Sequence, residues 1–190
     1  MQKGYKHFGK HNFSAAADCW LEAWEWIKKN ADSKINSIQE LDRKFSLNYL
    51  LLNWSQEFCL CIRSAAAENE EYLKKLIRYV DEYYELFPKT EESILIMHRR
   101  YAAEVCFELG RIEEGEARFR QAISEYPDEP WLYIGWGDMY SVFRPNEKIP
   151  HDPDRARQLY EKARPLVKEY EEEELKNRFA QLDKCHECNN

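Results

Sequence analysis

The chain has 190 residues, of which 44% are hydrophobic, 14% aromatic and 33% charged, a composition that excludes a disordered chain. A formal net charge of −7, with basic pairs only as short as Lys74-Lys75 and Arg99-Arg100, leaves no basic stripe for phosphates, so nucleic acid is not an expected partner. Six glycines and seven prolines give too few turns for a many-stranded sheet, and the length fits one domain.

The chain opens Met1-Gln-Lys-Gly-Tyr-Lys-His-Phe, with no apolar run of signal-peptide length, and no later stretch approaches about 18 uninterrupted apolar residues. No membrane association is expected, and the chain reads as cytoplasmic. Asn12 is positioned to cap a first helix whose apolar residues Phe13, Ala16, Ala17, Trp20, Ala23, Trp24 and Ile27 share one face. After the polar break Asn30-Ala-Asp-Ser33 comes a short pattern on Ile35, Ile38, Leu41 and Phe45. A long apolar helix is predicted from about Ser46 to Ala67, with Leu47, Leu51, Trp54, Phe58, Cys61, Ile62 and Ala65 along one stripe. The next runs from about Asn69 to Phe87 and stops at Pro88, because proline disfavours helix in the residue before it.

Two helices from about Glu91 to Leu109 and Ile112 to Tyr126 are joined at Gly110 and closed by Pro127-Asp-Glu-Pro130. Another starts near Pro130 and breaks at Arg144-Pro-Asn-Glu-Lys-Ile-Pro150. The chain resumes at Asp152-Pro153, a strong cap and first-turn combination, and a final acidic helix reaches about Asp183. The expected organisation is one all-α domain over 1–184 and a cysteine-containing tail over 185–190. Cys19, Cys59, Cys61 and Cys106 lie in apolar helical surroundings and read as small hydrophobes, not as a disulfide framework.

Tyr133, Trp136, Gly137 and Tyr140 stand 34 positions after Arg99, Ala102, Ala103 and Cys106. With Gly110, Gly115, Phe119, Ala122 and Pro127 in one unit and Ala156, Tyr160 and Ala163 in the next, the chain resembles the tetratricopeptide repeat family. The later second-helix residues lag by 41, so seven extra residues fall in the turn around Arg144 to His151. Phe13, Ala16, Trp20 and Ala23 match a second helix alone. Asp18-Cys-Trp-Leu-Glu-Ala-Trp24, Asn53-Trp-Ser-Gln-Glu57 and Pro130-Trp-Leu-Tyr-Ile-Gly-Trp-Gly-Asp138 are also similar to segments of bacterial repeat proteins, some carrying a zinc motif like that ending the SecA translocase.

The resemblance implies an α-α superhelix of about three to four stacked helix pairs, a protein or peptide as partner, and a non-catalytic scaffold role. By position it puts Arg100, Glu104, Trp131, Ile134 and Asp138 in a partner-binding groove. Arg100 and Glu104 stand where two members of the family's carboxylate-clamping lysine and asparagine set would be, so that particular function is not implied. Independently, Asn53, Gln56 and Glu57 fall on the polar side of an otherwise apolar helix, either a ligand-binding face or an ordinary solvated one. Cys185, His186 and Cys188 carry a C-x-x-C pair, which supplies two ligands to tetrahedral zinc and a third only if His186 reaches. A degenerate tail is the other reading, and a zinc-dependent accessory module is the alternative function. Glu169 and Glu171 to Glu174 read as the solvated face of the last helix. The histidines are scattered, without a metalloprotease arrangement, nucleophile elbow or phosphate loop, and no enzyme is expected.

Overall fold

The computed structural model describes residues 1–45, 50–141, 147–149 and 151–188, with side chains as far as Lys184 in the last stretch. Among the described residues the chain is all-α, with ten helices and no strand. In order they are α1 Gln2–Phe8, α2 Phe13–Asn30, α3 Ile38–Phe45, α4 Leu51–Ala65, α5 Glu71–Leu86, α6 Glu92–Glu108, α7 Ile112–Glu125, α8 Pro130–Asp138, α9 Pro153–Ala163 and α10 Glu169–Cys188. None of these helices is long and apolar enough to cross a membrane.

Local chemistry sets several boundaries. Ala15 N–H donates to Asn12 Oδ1 at 3.2 Å, and Arg155 N–H donates to Asp152 Oδ1 at 3.0 Å, each satisfying an orphan donor of a first turn. Glu129 caps α8 in the same way through Trp131 N–H at 3.1 Å. Gly110 has φ +75°, the left-handed conformation that turns α6 into α7.

Three elements depart from expectation. The helix α1 carries no clear apolar period, and it forms by packing. A Cβ on Gly4 would lie 2.2 Å from the Trp20 indole nitrogen, so only glycine lets α1 sit against that ring. The α4 helix starts at Leu51, whose N–H donates to Asp42 Oδ2 at 3.0 Å; the expected start at Ser46 falls on 46–49, outside the described residues. The α10 backbone stays helical to Cys188, past the expected end near Asp183, so the residues expected to form a tail begin as helix. Most of the expected break between Arg144 and Pro150 lies outside the described residues.

The contacts cluster into two compact units, Met1–His98 and Arg99–Asn190, with the boundary inside α6. In unit 1, α2 packs on α1 and α4, and α4 packs on α3 and α5. Trp20, Trp24, Trp54, Phe58, Tyr79, Tyr83 and Phe87 are buried there. Trp24 meets Tyr79 edge-on at 4.9 Å, and Trp54 stacks on Phe58 at 5.1 Å. Such geometries contribute about 0.5–1.5 kcal/mol each beyond burial. At the rim, Glu82 accepts from the Trp24 indole at 2.7 Å, Lys28 at 2.8 Å and Arg78 at 2.8 Å, tying α2 to α5.

His98 is enclosed in this core, its Nε2 lying 3.3 Å from the Ser55 carbonyl oxygen and its ring edge-on to Tyr83 at 4.6 Å. Burial pushes its pKa down to about 4, outweighing the backbone hydrogen bond that favours the charged form.

In unit 2, α8 packs on α7 and α9, and α9 packs on α10. Phe119 stacks on Trp136 with centroids 5.7 Å apart and rings 4° from parallel, while Phe107 meets Tyr140 edge-on at 5.5 Å. Gly137 is where α8 admits the Tyr160 ring of α9, since a Cβ there would lie 2.5 Å from it.

Two outcomes follow from these placements. An unfolded histidine titrates near its ordinary value and takes up a proton that native His98 refuses. Stability is therefore lost as pH falls from about 6.5 towards 4, by on the order of 3 kcal/mol, with no further loss from this group below that. Chemical denaturation of wild type and His98→Gln across that window checks it, the variant showing a shallower slope. Gly137→Ala is expected to lower stability by about 1–3 kcal/mol in the same assay, because Tyr160 is buried and cannot swing clear.

Candidate functional site

The five residues expected to line a groove all lie in unit 2, on α6 and α8. They are not equally available. Ile134, Glu104 and Asp138 are buried, whereas Arg100 and Trp131 keep part of their surface in solvent. Ile134 belongs to the hydrophobic core with Phe119, Trp136 and Leu175, so its apolar surface is already used inside the fold. Glu104 Oε1 lies 3.5 Å from Arg100 Nε, one helical turn away on α6.

Asp138 is held at the end of α8 by residues from the two following helices. Arg178 on α10 donates from Nε to Oδ1 at 2.8 Å and from Nη2 to Oδ2 at 2.9 Å, a two-pronged fit of guanidinium to carboxylate. Tyr160 on α9 donates its hydroxyl to Oδ1 at 2.8 Å. Burial and then the Asp138 charge raise the Tyr160 pKa far above its ordinary value, so this hydroxyl stays a donor. Burial pulls the other way on Arg178, but its hydrogen bonds and charge pairing with Asp138 prevail and raise its pKa.

The same guanidinium lies 5.6 Å from the Trp131 ring centre, and that of Arg100 lies 5.7 Å from it. Trp131 of α8 is thus contacted by a cation from α6 and another from α10, within cation–π reach of both. Its indole N–H donates to Glu171 Oε1 at 2.7 Å, and Glu171 Oε2 accepts from Lys168 N–H at 2.8 Å. The charge pattern of the sequence predicts Glu171 in a solvated run, but it is only 5% exposed. Arg178, Glu171 and Tyr160 are not among the site residues expected from the sequence. One signal was available: 171, 175, 178 and 182 share a helical stripe, so the periodicity that buries Leu175 and Leu182 also turns Glu171 and Arg178 inward.

The other candidates are elsewhere. Asn53 is exposed on α4, with Gln56 and Glu57 half-buried beside it, and Glu57 Oε2 accepts the Tyr5 hydroxyl of α1 at 2.6 Å. One member of that polar face is therefore a tie between α1 and α4. The side chains of Cys185, His186 and Cys188 lie outside the described residues. Among the described residues, no three His, Cys, Asp or Glu side chains converge as a metal site. Cys59 and Cys61 are buried on α4, and burial drives the Cys61 thiol up to about 12.

Comparison with known proteins gives no match: no family model fits the chain, and no curated protein or solved structure resembles it significantly.

The Asp138–Arg178 pair is nearly enclosed, with side chains 8% and 12% exposed. Arg178→Leu strands the carboxylate and is expected to cost about 3 kcal/mol. Thermal and denaturant unfolding read the loss, and Trp131 fluorescence should shift as its neighbouring cation disappears.

Proposed function

We propose that the chain is a non-catalytic interaction scaffold of the tetratricopeptide-like kind, binding a peptide or protein segment on the face of unit 2 that carries Arg100 and Trp131. The observation supporting this is the row Arg100, Trp131 and Arg178 on three helices, α6, α8 and α10, with the central indole half-exposed and hydrogen-bonded at its nitrogen. Aromatic and arginine side chains held in fixed rotamers are the anchors that binding faces use, since little side-chain entropy remains to be lost. The spacing of 34 residues between matching positions of α6 and α8 supports the repeat reading. The buried Glu104, Ile134 and Asp138 then support the face from beneath instead of touching the partner.

The test is quantitative capture from the native host, comparing the wild-type chain with Trp131→Ala and Arg100→Gln. Both variants should retain wild-type far-UV circular dichroism and lose the proteins held by the wild type, with occupancy falling about tenfold for a lost anchor. Unchanged capture by both would remove this face from the reading.

A further inference from the structure

The core of unit 1 encloses polar groups that its own side chains leave unsatisfied. Trp54 on α4, Tyr79 and Tyr83 on α5 and His98 on α6 are all buried. Among the described residues, the Trp54 indole nitrogen, both tyrosine hydroxyls and His98 Nδ1 have no hydrogen-bond partner. Leaving such groups unpaired in an apolar interior is costly, so several in one core require an explanation. They adjoin one another. The His98 ring is edge-on to Tyr83 at 4.6 Å and to Tyr79 at 5.7 Å, the two tyrosines meet at 5.7 Å, and Trp54 meets Tyr79 at 6.5 Å. Ser55 is approached from two sides, its carbonyl by His98 Nε2 at 3.3 Å and its hydroxyl by that of Tyr83. That serine hydroxyl is already engaged, donating to the Leu52 carbonyl at 2.7 Å, and Thr90, also beside Tyr83, accepts from Ile38 N–H at 3.0 Å. The hydroxyls of Tyr79 and Tyr83 lie near enough for one to disturb the ionisation of the other.

We propose that an ordered water molecule is bound between Tyr79, Tyr83 and His98 as part of the native core. The inventory of donors and acceptors selects it. A carbonyl oxygen only accepts, so the Ser55 carbonyl holds the proton of neutral His98 on Nε2 and leaves Nδ1 as an acceptor. The two hydroxyls are donors, yet neither hydrogen-bonds to Nδ1 directly. What completes the set must donate to a ring nitrogen and accept from hydroxyls within one small space. Water does both, and internal waters typically make about three such bonds. Interiors hold on the order of one buried water per 27 residues, so a unit of this length is expected to contain some. An ion of either sign would be buried here among neutral groups without a counter-charge.

Two measurements on the full chain test the site. A high-resolution crystal structure should show one water within about 3 Å of His98 Nδ1 and of at least one of the two hydroxyls. In denaturant titrations, Tyr79→Phe keeps the ring and removes the hydroxyl, and the folding constant should fall about fivefold as a bond to the water is lost. Tyr83→Phe should act in the same direction, and the double variant should lose less than the product of the two, because both hydroxyls share one partner. A hydroxyl with no partner gives the opposite sign, since its removal deletes a buried unpaired group and the folding constant rises. Such a rise, strictly multiplicative losses in the double variant, or a hydroxyl bonded directly to Nδ1 with no water between them would overturn the proposal.

Discussion

The ion pair between Asp138 and Arg178 is the contact on which the arrangement of unit 2 turns. It joins α8 to α10 across 40 residues of sequence, and Tyr160 adds α9 to the same carboxylate oxygen. Most of α10 is polar, and its first turn is acidic, so hydrophobic burial alone gives it only a narrow strip to dock by. A two-pronged guanidinium fixes both the rotation and the axial position of the helix, because a shift of one residue would break two hydrogen bonds at once. With Arg178 in place, Glu171 lies seven residues earlier on the same side, under the Trp131 indole. The contacts that orient that tryptophan therefore depend on the ion pair.

Unit 1 is held differently. Its core is a continuous aromatic cluster in which Trp24, Trp54, Phe58, Tyr79 and Tyr83 meet edge-on, stacked or tilted, and the charged groups lie at its rim around Glu82. His98 is the exception, a titratable ring inside the cluster that is tolerated because it is neutral at ordinary pH. The difference between the units is physical. Ring packing is tolerant of small displacements, whereas the Asp138 site accepts one geometry.

What could be read from the sequence follows from the range of each interaction. Caps act within one turn, and Asn12, Gly110 and Asp152-Pro153 marked boundaries that the structure keeps. Apolar periodicity acts along one helix, and it placed Trp20, Trp24, Leu51, Trp54, Phe58 and Ile62 in the core. The α1 helix escaped because its reason for existing is the Trp20 ring fifteen or more residues away. Glu171 and Arg178 escaped for the same reason. Charged residues on a helix are ordinarily solvated, and only the partners on α8 show why these two are not. Ile134 departs from expectation in the opposite sense. Its place in the repeat pattern suggested exposure, while the mostly buried α8 helix, nine residues long, uses it for packing.

A helix positioned by buried polar contacts differs in one respect from a helix positioned by its apolar face. Buried ion pairs contribute less net stability than their geometry suggests, because desolvation offsets much of the attraction, but they admit few alternative registers. Here α10 gains its register from Arg178 and Glu171, which frees its apolar residues from having to specify it. Leu175 and Leu182 are used inside, and Phe179 lies only partly covered beneath arginines. Apolar surface left over at the edge of a helix whose position is already determined costs little to desolvate and need not be reordered to be covered. The polar network that orders α10 against α8 thus also accounts for why Phe179 can stay only partly covered.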